Sequence, residues 1–147
     1  MFETILVATD ASPASNRAIN LAADLAGRYG ASLHILHVVR DMQLPPALKR
    51  MAEVERIQGQ REDVLMYVAD KILDDAEKRA RKRGAESVER SIGRGDPAGA
   101  IATQAKRRKA DIVVLGTRGL GKVKGLLMGS VSRKVANTCA ANCLIVR

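Results

Sequence analysis

Two glycine turns are the residues of this chain best suited to chemistry. Leu115-Gly116-Thr117-Arg118-Gly119 continues directly from the apolar run Asp111-Ile112-Val113-Val114-Leu115, and Gly129-Ser130-Val131-Ser132 begins after nine intervening residues. A short, unbroken apolar run of that kind predicts a strand buried on both faces. Glycines at its carboxyl end let the backbone turn tightly and come close to a ligand. Gly129-Ser130 opens a helical pattern, and the free amides and positive dipole end of a helix suit a phosphate. Two anion-favouring turns joined by a loop carrying Lys122 and Lys124 describe a nucleotide site.

Two better-known nucleotide motifs fail on single residues. Gly116-x4-Gly121-Lys122 has the P-loop spacing, but Val123 stands where a hydroxyl must ligate magnesium. The dinucleotide fingerprint has Gly119-x-Gly121 and then Lys124 in place of its third glycine. The position after the first strand, where that fingerprint belongs, holds Thr9-Asp10-Ala11-Ser12.

The elements that must position these turns follow from periodicity. Thr4 to Thr9 is the first strand candidate, and Ser12-Pro13 supplies an N-cap and a proline at the first helical position. Ala18, Ala22, Leu25, Ala26 and Tyr29 recur at helical spacing, and Gly30 ends that helix. Leu33 to Val39 is the second strand, so the joins are short enough to require a parallel pair. Residues 40–61 read as a long connection able to move, broken by Pro45-Pro46, with Leu48, Met51, Val54 and Ile57 hinting at a short amphipathic helix. A second main helix runs through Val64, Leu65, Val68, Ala69, Ile72, Ala76 and Ala80 to Gly84. Ser87 to Ile92 alternates as an edge strand does, Asp96-Pro97 caps a third helix, and 111–115 is the fourth strand. A helix over about 130–138 and a strand from Cys143 to Val146 complete the chain. Strands alternating with helices predict an α/β, doubly wound, five-stranded parallel sheet with about four helices, forming one domain over residues 1–147. Ligands of such sheets bind beyond the carboxyl ends of the strands, which puts Asp10 and Gly116 at one crevice if their strands are neighbours.

Composition narrows the functional classes. The chain has 147 residues, enough for a core burying about 68% of the unfolded surface. No apolar run reaches the roughly 20 residues that span a bilayer, and Met1-Phe2-Glu3-Thr4 lacks the basic start of a signal peptide. The cytoplasm is therefore the expected compartment, which argues against an adhesion role for Arg94-Gly95-Asp96. Cys139 and Cys143 have no histidine nearby and read as packing residues, with redox sensing the alternative. His34 and His37 fall on opposite faces of one strand, against a shared metal. The net charge is +9, and residues 78–134 hold 16 Lys/Arg against 4 Asp/Glu. That excess suits an anionic partner, yet three aromatic side chains leave almost no platform for stacking bases, so nucleic acid is not the expected one.

The spacing Gly116-x2-Gly119-x9-Gly129-Ser130 resembles the ATP-binding signature of the universal stress protein family. The opening Ile5 to Ser12 and the segment Ala110 to Gly116 resemble that family's first and fourth strands, and the resemblance runs from end to end. It implies an adenine nucleotide alpha hydrolase-like fold with ATP in the crevice, with or without Mg2+. On these positions Ala8, Thr9 and Asp10 would face the ribose or adenine, and the Val39 backbone would meet adenine. Leu115, Gly116, Arg118 and Gly119 would line ribose and phosphates, and Gly129, Ser130, Val131 and Ser132 would hold phosphate oxygens. Lys122 and Lys124 would close over the triphosphate or stay in solvent. Asp10 has a second reading as an Asx cap for the helix at Pro13, and Gly116 and Gly119 as a plain turn. The resemblance also implies a homodimer through Cys143 to Val146, although Asn142 stands where members often have proline.

No histidine or glutamate is placed to activate water at the turns, so binding with little or no hydrolysis is expected. The leading expectation is an ATP-binding, dimeric regulator of the stress response acting on a protein partner. The alternatives are a nucleotide-independent scaffold of the same fold and a binder of cyclic AMP.

Overall fold

The structure, a computed structural model, describes residues 1–40, 53–118 and 128–147, and for 53–60 the backbone alone. Its strands are β1 (Thr4–Ala8), β2 (Ser32–Val39), β3 (Val88–Arg94), β4 (Ile112–Gly116) and β5 (Asn142–Val146). Between them run α1 (Pro13–Tyr29), α2 (Glu53–Lys82), α3 (Pro97–Arg108) and α4 (Ser130–Thr138). The sheet order is β3-β2-β1-β4-β5 and every pairing is parallel. β1 and β4 are therefore neighbours at the point where the strand order reverses, the condition for Asp10 and Gly116 to lie at one end of the sheet together.

Alternation along the strands splits the core in two. Ile5, Val7, Leu33, Ile35 and Val114 pack beneath α1 and α2, with Ala18, Ala22, Ala26, Leu73 and Ala76. Leu6, Leu36, Val113 and Leu115 face the other way, against Ala98, Ile101 and Ala105 of α3 and Val135 of α4. Small residues on the inner stripes of α1 and α3 let the helix backbones approach the sheet closely. Cys139 and Cys143, both free thiols, pack against this second cluster as half-buried side chains.

Local chemistry sets the element ends. The Ser12 hydroxyl accepts the Ser15 amide at 3.2 Å with Pro13 at the first position of α1, and Gly30 leaves the helix with φ 64. Asp111 accepts from the amides of Glu3 and Thr4 at 2.8 and 2.9 Å, which pins the start of β1 to β4. Those two amides hold the Asp111 carboxyl below its usual range. Arg90 on β3 pairs with Asp74 and lies 3.5 Å from Asp70 and 3.6 Å from Glu77, fixing α2 to the edge strand.

One expected boundary is wrong. Residues 53–61 belong to α2, which is 30 residues long, and not to a connection. Val54 and Ile57 do lie in a helix, as their spacing hints, but Glu, Arg and Gln dominate Glu53 to Arg61, and two apolar residues are too few to show in sequence that this helix is continuous with the next. Leu48 and Met51, the other half of that hint, and the rest of 41–52 lie outside the described residues.

β2 also buries a histidine. His34 is 3% exposed, its Nε2 lies 2.9 Å from Ser91 Oγ, and its Nδ1 is 3.7 Å from Glu89 Oε2. Burial, then Arg108, push its pKa below the ordinary value, against a weaker upward pull from Glu89. The unfolded chain consequently takes up the proton first as pH falls. His34 contributes stability that is complete above about pH 6.5 and is lost as pH falls through the lower folded-state value. The urea midpoint should drop between about pH 7.5 and about pH 5, and His34→Gln, which keeps a polar partner for Ser91, should flatten that part of the profile.

Candidate functional site

The site is assembled where β1 and β4 end side by side. After β1 the Thr9 amide still donates to Leu36 O at 2.9 Å, and Thr9 O accepts from His37 Nδ1 at 2.8 Å. A carbonyl only accepts, so His37 carries its proton on Nδ1. The chain then folds into a tight turn. Asp10 Oδ1 accepts the Ser12 amide at 2.9 Å, Thr9 Oγ1 accepts the Ala11 amide at 3.1 Å, and Ala11 takes φ 64. A left-handed alanine is unfavourable by itself, so these side-chain bonds hold it. Asp10 thus forms an Asx turn just before α1, while Ser12 is the residue that caps the helix.

The turn after β4 meets it. Ser12 Oγ reaches the Arg118 carbonyl at 3.4 Å, and Thr117 donates from its amide to Val146 O at 2.7 Å. Gly116 faces the start of α1 so closely that a β-carbon there would sit 2.7 Å from Ala14 C and 2.8 Å from Ser15 N. Its missing side chain therefore serves helix packing. Gly116 O accepts from Ser132 Oγ at 2.6 Å, which commits the hydroxyl proton of that buried serine and ties α4 to β4. Ala8 and Leu115 pack against the inner core, so only their backbone can face a ligand. The Val39 carbonyl accepts the Gly95 amide at 3.1 Å. Arg118 is exposed, and Gly119, Gly121, Lys122, Val123 and Lys124 lie outside the described residues.

α4 begins at Gly129, whose backbone is extended (φ −68, ψ 163) and which supplies no side-chain cap. Beside it opens a crevice of about 530 Å³, lined by Arg40, Asp96, Ala98, Ser130, Val131 and Lys134 among others. Ser130 and Val131 both line this crevice at the helix start. Sequence reasoning missed Arg40, Asp96 and Lys134. Ligands of such sheets sit beyond the strand ends, and the ends of β2 and β3 lead directly to Arg40 and Asp96. Asp96 accepts the Gly99 amide at 2.9 Å as the cap of α3, and this bond, with Lys134 at 3.1 Å and the field of Arg40, holds its carboxyl below the usual range. Among the described residues no group of His, Cys, Asp and Glu could hold a metal ion, and no helix is long and apolar enough to cross a membrane.

Comparison with known proteins agrees with this geometry. The model of the universal stress protein family matches residues 1–147. The chain is 34% identical over 149 residues to universal stress protein YxiE of Bacillus subtilis, covering 100% of both. It is 33% identical to universal stress protein Rv1636 of Mycobacterium tuberculosis, covering 99% of this chain and 96% of that one. A solved universal stress protein in complex with cAMP superposes with a TM-score of 0.71 at 29% identity, covering 99% of this chain and 97% of that chain.

Gly116→Ala separates packing from ligand contact. The added methyl must push α1 away from β4, so the variant should lose about 1–3 kcal/mol of stability in urea unfolding without any ligand present. An unchanged midpoint would mean the helix start can yield at no cost.

Proposed function

Because this chain belongs to the universal stress protein family, we propose that it binds ATP, with or without Mg2+, and serves as a regulator of the stress response with little or no hydrolysis. The observation that carries the reading is the open crevice at the start of α4, lined by Ser130 and Val131 of the second glycine turn, which the Gly129–Thr117 bond ties to the first. Among the described residues the N-cap, Gly129, gives the first amides of α4 no side-chain acceptor, and a phosphate is a group they suit. Ser130 adds a hydroxyl on the same rim. In this reading Asp10 and the Val39 backbone face the nucleoside, and Gly116, Arg118 and Gly119 lead to the phosphates. Leu115 and Ala8 shape the floor through their backbone, and Ser132 acts indirectly, by holding α4 on Gly116.

Cyclic AMP is the second reading, favoured by the similar solved protein that holds it. The protein is further proposed to be cytoplasmic and single-domain over 1–147, and to pair as a homodimer along β5. That strand is bonded on one side only, to β4, and Leu144, Ile145 and Val146 are half-buried. A second copy would cover both the edge and these side chains, and a regulatory partner would read the surface around the filled crevice.

Calorimetric titration with ATP, ADP, AMP and cyclic AMP tests the nucleotide reading. At about 100 times its Kd the preferred ligand should raise unfolding stability by about 2.7 kcal/mol. Gly129→Leu should abolish that increment, read against its own ligand-free midpoint, which the loss of a favourable N-cap residue lowers by about 1 kcal/mol. Absence of heat and of stabilisation with all four ligands would reject the reading in favour of a nucleotide-independent scaffold.

A further inference from the structure

Three formal charges line the crevice, and they are set against one another. Arg40 follows β2, Asp96 caps α3, and Lys134 lies one turn into α4, four residues beyond Ser130. Helical side chains lean toward the amino end of their helix. Lys134 therefore carries its ammonium back toward the start of α4 and across the mouth, where Nζ meets Asp96 Oδ2 at 3.1 Å. The two partners are not equally free. The same Oδ2 accepts the Gly99 amide at 2.9 Å, so the carboxylate is fixed by its capping role. Lys134 is a long, mobile stem with a side chain 58% exposed. An ion pair this exposed contributes little to stability and exchanges readily.

We infer that Lys134 selects phosphate-bearing ligands in the crevice, and that Asp96 is its resident competitor, an anion of the protein occupying the ammonium until a ligand phosphate replaces it. The inference rests on the nucleotide reading and goes beyond it. A phosphate at the start of α4 offers the ammonium at least one full negative charge and several acceptor oxygens, against a carboxylate already shared with Gly99. Asp96 cannot follow, being held by its cap, and Arg40 remains beside it to balance the charge. Occupancy then exchanges a direct α3–α4 tie for one made through the ligand. A nucleoside lacks the phosphate and gains nothing from Lys134.

Titration of adenosine, AMP and ATP against the full chain and two variants tests this. Lys134→Met keeps the stem and removes the charge; AMP and ATP should bind about tenfold more weakly, with adenosine unchanged. Asp96→Asn keeps an N-cap of equal quality for α3 and removes the competing charge, so AMP and ATP should bind severalfold more tightly, adenosine again unchanged. Equal effects on adenosine and AMP in Lys134→Met, or weaker AMP binding in Asp96→Asn with its melting temperature intact, would overturn the inference while the nucleotide reading stands. Failure of wild-type protein to bind any of the three would remove both.

Discussion

The close contact between Gly116 and the first turn of α1 is the constraint on which the rest of the site depends. A parallel sheet brings β1 and β4 together, but a crevice forms only if the loops leaving them also converge. With no β-carbon at 116, the backbone of Ala14 and Ser15 settles directly against the end of β4. Ser12 then reaches Arg118, and Ser132 reaches back to Gly116. One missing methyl thus links three segments far apart in sequence. The glycine is commonly read as a place where a ligand comes near; here it is first a place where a helix does.

Around that contact the charges are distributed by job. At the amino ends of the strands Asp111 satisfies two amides that the sheet leaves over. On the edge strand Arg90 faces three carboxylates of α2. The last turn of α3 carries Lys106, Arg107 and Arg108, where cations complement the negative end of the helix dipole. Much of the basic excess of residues 78–134 is accounted for in this way, as surface charge with a local partner. The charges that bear on a ligand are the few at the opposite pole, by the crevice.

How much of this is legible in the sequence varies with the kind of signal. The strands at 4–8 and 112–116 stand out because burial on both faces demands an unbroken apolar run. The starts of α1 and α3 are equally plain, since Ser12-Pro13 and Asp96-Pro97 each pair a capping side chain with a preset φ. The start of α2 is hard to place because Val54 and Ile57 are the only large apolar residues of 53–61, too sparse a period to join the hinted helix to the one that follows. The two glycine turns are visible by spacing, but what Gly116 touches is not, because its neighbours Ala14 and Ser15 are a hundred residues away. Lys134 and Asp96 look like an ordinary surface lysine and an ordinary cap until the fold sets them 3.1 Å apart.

The two glycine turns are joined to each other by a closed neck. Thr117 O accepts the Gly129 amide, and the Thr117 amide is itself bonded to Val146. The two ends of the intervening chain are therefore fixed side by side whatever lies between them. The separation of Gly116 from Gly129 is accordingly a property of this neck, set by β5 as much as by β4, so a change at Val146 would be felt at both glycine turns.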